Sequence, residues 1–199
     1  EDTTAALYAL AAESRARMAG IVIGVTGSAG KTGTKEALFA ALNRCSLGKA
    51  HRSLKSYNNH VGVPLSLTRM AEDTQFGVLE MGMNHVGELA ELTRLVRPHI
   101  VIITTIAPAH AGFFRDEEEI ADAKGEICEG LEPGGVAILP FDSPHYARLR
   151  AKAEKHTDQI ITFGLKEGAD VRALDHIRAP NGGSLVTAQQ LQGKELSYN

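Results

Sequence analysis

Gly30, Lys31 and Thr32 close a run of small residues, T-G-S-A-G-K-T over 26–32, whose chemistry suits a phosphate. Gly27 and Gly30 permit backbone angles that other residues resist, so consecutive N–H groups can turn inward around an anion. Lys31 has the reach for terminal phosphates, and the Thr32 hydroxyl is a ligand for Mg²⁺. The nucleotide cradle is thus expected over Thr26, Gly27, Ser28, Ala29, Gly30, Lys31, Thr32 and Gly33. The strict pattern G-x-x-x-x-G-K-[ST] requires glycine at position 25, where Val25 stands. A glycine-rich turn capped by threonine is the plainer reading of the triplet alone. The setting favours phosphate: IVIGVT (21–26) reads as a strand before the loop, and helical spacing begins straight after it.

Three other polar residues raise the same choice between structure and chemistry. Glu80 ends the apolar run in GVLEMGMNH. It is either a solvated strand end or a metal ligand sharing an ion with Thr32, because Mg²⁺ takes oxygen ligands and often only one or two carboxylates. His110, in TTIAPAHAGFF, follows another apolar run and is either structural or a metal or phosphate contact. Lys124 lies four residues after Ile120 and three before Ile127, on the apolar stripe of its helix. It either snorkels along that face or turns into a site.

These residues need elements to hold them. Apolar runs at 21–26, 49–54, 76–82, 99–106, 136–140 and 159–164 read as strands. They alternate with helical patterns at 31–45, 63–70, 87–96, 117–131 and 143–156. In 31–45 the expected buried stripe is Ala37, Leu38, Ala41, Leu42 and Cys45. Such alternation predicts an α/β fold: a mostly parallel sheet with helices on both faces. From about 170, VRALDHI, GSLVTAQ and GKELSY are separated by glycine-containing turn signals and predict a short antiparallel meander. Phosphate sites in parallel sheets form at the carboxyl ends of the strands. The loop after 26, Glu80 and His110 all fall there.

Composition narrows the partners. The 199 residues carry a net charge of −3, with 43% hydrophobic and 23% charged side chains. That balance does not favour a nucleic acid or an anionic membrane surface. No apolar run approaches the roughly 20 residues that span a bilayer. Cys45 and Cys128 fit no metal spacing and read as two buried reduced thiols in a cytoplasmic protein, expected to be monomeric.

Taken together, TGSAGKTGTKE, YNNHVGVPLSL, EMGMNHVGEL, TTIAPAHAGFF and IADAKGEI, in that order and at these separations, resemble the Mur ligases over about 20–190. The resemblance implies the central ATP-binding domain, 20–199, of a three-domain enzyme. Residues 1–19 would be a helix entering from an N-terminal UDP-binding domain, and a C-terminal domain would lie outside this chain. The implied activity is ADP-forming amide ligation through an acyl phosphate in peptidoglycan precursor synthesis. The member most resembled adds D-alanyl-D-alanine to a UDP-N-acetylmuramoyl tripeptide.

By the same resemblance, Lys31 contacts the β- and γ-phosphates of ATP, and Thr32 and Glu80 hold one Mg²⁺. His110 helps to hold a second metal near the γ-phosphate. Lys124 matches a lysine that takes up CO₂ as a carbamate, an oxygen ligand for that second ion. Asn58, Asn59, Asn84 and His85 match positions lining the substrate side. Gly33 departs from the threonine or serine common in relatives. Pro140 stands where asparagine is common, so no nucleotide role passes to Pro140 or Asp142. An unrelated P-loop kinase or NTPase, or a non-catalytic nucleotide-binding module, remains the alternative; a GTPase would need N-K-x-D, which the sequence lacks.

Overall fold

A computed structural model describes residues 2–108, 113–178, 183–190 and 193–198. His110 and residues 179–182 and 191–192, where the sequence predicts turns, lie outside the described residues. The elements run α1 (Thr3–Arg17), β1 (Ile21–Thr26), α2 (Lys31–Cys45), β2 (Ala50–Arg52), α3 (Gly62–Thr68), β3 (Phe76–Glu80), α4 (Glu88–Val96) and β4 (Ile100–Ile103). They continue with α5 (Glu117–Gly125), β5 (Val136–Pro140), α6 (Tyr146–Ala153), β6 (Gln159–Gly164), β7 (Val171–Arg178), β8 (Ser184–Gln189) and β9 (Glu195–Tyr198).

All nine strands form one sheet in the order β2-β3-β1-β4-β5-β6-β7-β8-β9. Pairing is parallel from β2 through β7 and antiparallel for β7–β8 and β8–β9. The expected meander is therefore an extension of the main sheet, joined through Phe163↔Val171 and Gly164↔Arg172. β1 lies between β3 and β4 and is buried from Val22 through Thr26, as a β-branched run covered on both faces should be. The register places Val25 beside Glu80 and Thr26 beside Ile103. That register delivers the loop after Thr26, the Glu80 carboxylate and the chain leaving β4 to one end of the sheet.

One face of the sheet is closed by Ile23, Val25, Val78 and Ile102 against Leu38 and Leu42 of α2. The larger core on the other face takes Val63 and Leu67 from α3, Leu89 and Val96 from α4, Ile120 from α5 and Leu149 from α6. α1 is anchored there too. Its buried Arg15 donates to the carbonyls of Val96 and Arg97, each at 2.7 Å, where α4 ends. Those carbonyls lack helical partners, so a guanidinium is a suitable cap.

Three sequence expectations need correction. α2 turns Lys35, Leu38 and Leu42 inward and leaves Ala37, Ala41 and Cys45 exposed, because Lys35 is drawn toward Glu80. Consequently Cys128 alone of the two thiols is buried. The helix expected over 117–131 ends as α-helix at Gly125 and tightens to a 3₁₀ turn over Glu126–Gly130. Gly125 packs so closely that an added Cβ would sit 3.1 Å from the Lys152 side chain of α6.

Candidate active site

The loop after β1 is shaped from within. Gly27 has φ +148° and Gly30 has φ +84°, and a Cβ on Gly27 would stand 1.9 Å from Thr104 Oγ1. Thr104, just past β4, donates its hydroxyl to the carbonyls of Ala29 at 2.6 Å and Thr26 at 3.2 Å. Ser28 donates its amide to the Thr105 carbonyl and its hydroxyl to the Ala107 carbonyl, at 2.8 and 2.9 Å. Both Ser28 donors are thus used to clamp the loop against the chain leaving β4. α2 starts at Gly30 with no side-chain cap, leaving its first-turn amides available to an anion. A Cβ at Gly33 would meet nothing within 4 Å, so glycine there is not required by packing.

Lys31 folds back and donates to the Gly27 carbonyl at 2.7 Å. Burial lowers its pKa, partly opposed by Glu80. Thr32 Oγ1 lies 2.8 Å from one oxygen of Glu80, and Asn58 Nδ2 lies 2.8 Å from the other. Glu80 is 1% exposed. Lys35, one helical turn after Lys31, is fully buried, sits 3.8 Å from Glu80 and donates to the Lys55 carbonyl at 2.5 Å. A hydroxyl and a carboxylate in contact fit the oxygen chemistry of Mg²⁺, which completes its shell with phosphate and water. The Thr26 hydroxyl is buried with no hydrogen-bond partner, an orphaned polar atom at the root of the loop. Among the described residues no cluster of three His, Cys, Asp or Glu side chains forms a metal cage.

Lys124 lies on the inner face of α5 and is 2% exposed. Burial, and then the charge of Lys31, lower its pKa to about 8. Among the described residues its amine has no hydrogen-bond or ion-pair partner. It does not snorkel: it lines a cavity of about 380 Å³ together with Lys31, Asn58, Asn59, Asn84 and His85. The fold thus gathers six of the expected site residues around one space, and Thr32 and Glu80 adjoin it through Asn58.

The loop bearing Asn84 and His85 is held at both ends. Glu88 accepts from the amides of Asn84 and His85 at 2.7 and 3.3 Å and contacts His85 Nδ1 at 2.9 Å. Glu126 accepts from the Gly87 amide at 2.9 and 3.0 Å and from the Ala90 amide at 3.3 Å, capping α4 from 36 to 39 residues away. Glu126 is two residues beyond Lys124, so the 3₁₀ turn that ends α5 also positions the Asn84–His85 loop. Neither Glu126 nor Thr104 was singled out from sequence, since their partners are remote. For Lys35 a signal existed in its i+4 spacing from Lys31 on one face of α2.

A second cleft of about 570 Å³ opens on the other side of Thr104, with Ile106, Pro140, Phe163 and Leu165 in its walls. Asp142 at its rim accepts from the amides of Leu165 at 2.6 Å and Lys166 at 3.1 Å. That carboxylate is committed to the backbone.

Comparison with known proteins places this geometry in context. Residues 25–199 match the family described as the Mur ligase middle domain. The UDP-N-acetylmuramoyl-tripeptide–D-alanyl-D-alanine ligase of Synechocystis sp. is 40% identical over 172 residues, 86% of this chain and 37% of that protein. The solved UDP-N-acetylmuramoylalanyl-D-glutamyl-2,6-diaminopimelate–D-alanyl-D-alanyl ligase from Acinetobacter baumannii has a TM-score of 0.88 at 35% identity, covering 99% of this chain and 42% of that one. The MurF ligase from Thermotoga maritima in complex with ADP has a TM-score of 0.86 at 27% identity, covering 99% and 44%. The chain spans less than half the length of each of these relatives.

Proposed function

The chain belongs to the Mur ligase middle-domain family, and on that premise we propose that it is the ATP-handling part of a ligase joining a UDP-N-acetylmuramoyl tripeptide to D-alanyl-D-alanine. The third residue of that tripeptide is a diamino acid such as 2,6-diaminopimelate. Residues 20–199 act as the central domain and 1–19 as its link to a UDP-binding domain. The enzyme works on the UDP-linked precursor in the cytoplasm.

The observation that carries this reading is the single cavity shared by Lys31 of the phosphate loop and the buried Lys124, whose amine has no partner among the described residues. In the reaction, a carboxylate oxygen of the tripeptide attacks the γ-phosphorus and the bond to the ADP oxygen breaks. The acyl phosphate so formed is attacked by the amine of the dipeptide, which expels inorganic phosphate and loses a proton. This chain contributes positioning and charge, the main currency of phosphoryl transfer. Lys31 leaves the Gly27 carbonyl for the β- and γ-phosphates, and the free amides at the start of α2 hold the phosphate oxygens. Asn58, Asn59, Asn84 and His85 orient the tripeptide. The apolar cleft at Pro140 and Phe163 suits a flat base, with Thr104 between it and the phosphates.

Thr32 and Glu80 would hold Mg²⁺, which supplies Lewis-acid neutralisation of the phosphate oxygens. Lys124 is suited to carry a carbamate. With a pKa near 8, a useful fraction of its amine is unprotonated at neutral pH. That free amine adds to CO₂ with loss of a proton, replacing a buried cation by an oxygen-ligand anion. His110 belongs to the same group by sequence.

The test is a trap. The ligase is supplied with ATP, the UDP-linked tripeptide and hydroxylamine in place of the dipeptide. A hydroxamate on the tripeptide, equimolar with ADP, is expected. ADP without hydroxamate, or phosphate on a hydroxyl, would reassign the site to a kinase or NTPase.

A further inference from the structure

α2 buries a second lysine, one helical turn beyond the first. Lys35 is 0% exposed, and a lysine so deeply buried is tolerated only where its charge is met. Its amine faces three acceptors. The Lys55 carbonyl lies at 2.5 Å, Glu36 Oε1 at 3.2 Å, and the Glu80 oxygen that Thr32 also contacts at 3.8 Å. Glu36 and Glu80 answer the charge. The bond to Lys55 does something else: it ties α2 to a stretch of chain 20 residues away.

That stretch, residues 53–59, wraps Glu80. Ser53 Oγ accepts from the Glu80 amide at 3.1 Å, and Asn58 Nδ2 donates to Glu80 Oε1 at 2.8 Å. The Asn58 carbonyl accepts from the Gly82 amide at 2.8 Å. The chain then passes so close to the start of α3 that a Cβ on Gly62 would stand 2.6 Å from the Tyr57 carbonyl carbon. Between these anchors, over 54–57, the Lys35 amine makes the only hydrogen bond from elsewhere in the chain among the described residues. Lys55 takes φ +49°, a left-handed conformation that a residue with a side chain keeps only when its surroundings impose it. Its own side chain is exposed and has no hydrogen bond or ion pair among the described residues. What the strained turn secures is the inward carbonyl.

We propose that Lys35 is a positioning residue for the tripeptide: by holding the Lys55 carbonyl, it fixes the 53–59 segment in the shape that presents Asn58 and Asn59 to the cavity. The assignment rests on the ligase reading above, in which those asparagines face the substrate. Lys35 does not itself line the cavity, so it acts through the segment and not by contact. If it served only to neutralise Glu36 and Glu80, nothing would require Lys55 to adopt a strained φ.

The test uses the full-length ligase carrying Lys35→Met, Lys55→Pro or both. Methionine keeps most of the volume and removes the amine. Proline holds φ at about −65°, which turns the Lys55 carbonyl away and leaves Lys35, Thr32 and Glu80 as they are. Because position 55 is at the surface, Lys55→Pro decides the matter by itself should Lys35→Met fail to fold. Each single variant should raise KM for the UDP-linked tripeptide by about tenfold, the scale of one charged hydrogen bond. Turnover at saturation, and the ADP dissociation constant from calorimetry, should each stay within about threefold, since the lost order concerns one substrate. The double variant should also show about tenfold rather than about a hundredfold, because both changes break the same contact. A tripeptide KM within about twofold of wild type in Lys55→Pro, an equal loss of ADP affinity, or multiplied effects in the double variant would overturn the assignment. Absence of tripeptide turnover by the wild-type enzyme would overturn the ligase reading itself and remove the assignment with it.

Discussion

The loop at 26–32 and the end of α5 each send a lysine into the same cavity, but the two regions hold it in opposite ways. Lys31 rests on a carbonyl of its own loop, close to a carboxylate that favours its charge. Lys124 has been carried inward on a regular helix and is buried in the cavity wall, with no partner for its amine among the described residues. The loop is a complete anion receptor: glycines bend it, Thr104 and Ser28 clamp it, and α2 begins without a side-chain cap. The helix end is incomplete, because an unpaired buried cation is unfavourable until something neutralises it. The loop is built to receive a ligand as it stands; the helix end is built to be modified first.

The sharpest way to break this contrast is Lys124→Ala in the ligase. Loss of the carbamate should lower kcat by about 10³-fold, the scale of a missing electrostatic group at a phosphoryl transfer. Added formate or acetate should restore part of the rate by supplying the missing carboxylate oxygens. Unaltered turnover would remove the carbamate role. Lys31→Ala should behave differently. Its ATP affinity, measured by calorimetry, should fall by about a hundredfold, with no recovery in carboxylate, since a cation rather than an anion is missing. Rescue of both variants by acetate, or of neither, would erase the distinction between the two regions.

A smaller effect tests the cost of keeping Lys124 unpaired. Its folded-state pKa is about 8 against 10.5 for an ordinary lysine. Protonation is thus harder in the folded chain, and the penalty is complete below about pH 8. It fades as pH rises toward 10.5, where the amine is neutral in both states. In CO₂-free buffer, Lys124→Met should therefore stabilise the protein at pH 7 by about 1–3 kcal/mol, read from denaturant midpoints. The gain should shrink at pH 10. The same gain at both values would assign the effect to packing.

Legibility in the sequence divided along similar lines. The phosphate loop could be read because its chemistry is local: small residues, a lysine and a threonine in consecutive positions between a strand and a helix. The strand–helix alternation was equally plain, since each element carries its own periodicity. Lys124 was visible as an anomaly, a charge on an apolar stripe, but its burial and its open amine came from α5 packing against the sheet. Of the stripe expected in α2, Leu38 and Leu42 face the core, whereas Ala37, Ala41 and Cys45 are exposed. Alanines at helical spacing mimic a core face, and nothing local shows that Lys35 would be turned inward toward Glu80.

What the sequence settled by itself was the class of fold, the place of the phosphate loop and a short list of polar residues, because each depends on spacing over one or two turns of chain. The tertiary structure alone decided that six of those residues share one cavity and that Glu126 caps a helix far from it in sequence. Those facts depend on parallel register and on helix packing across the sheet. Such contacts join residues tens of positions apart, and no local pattern records which of them will meet.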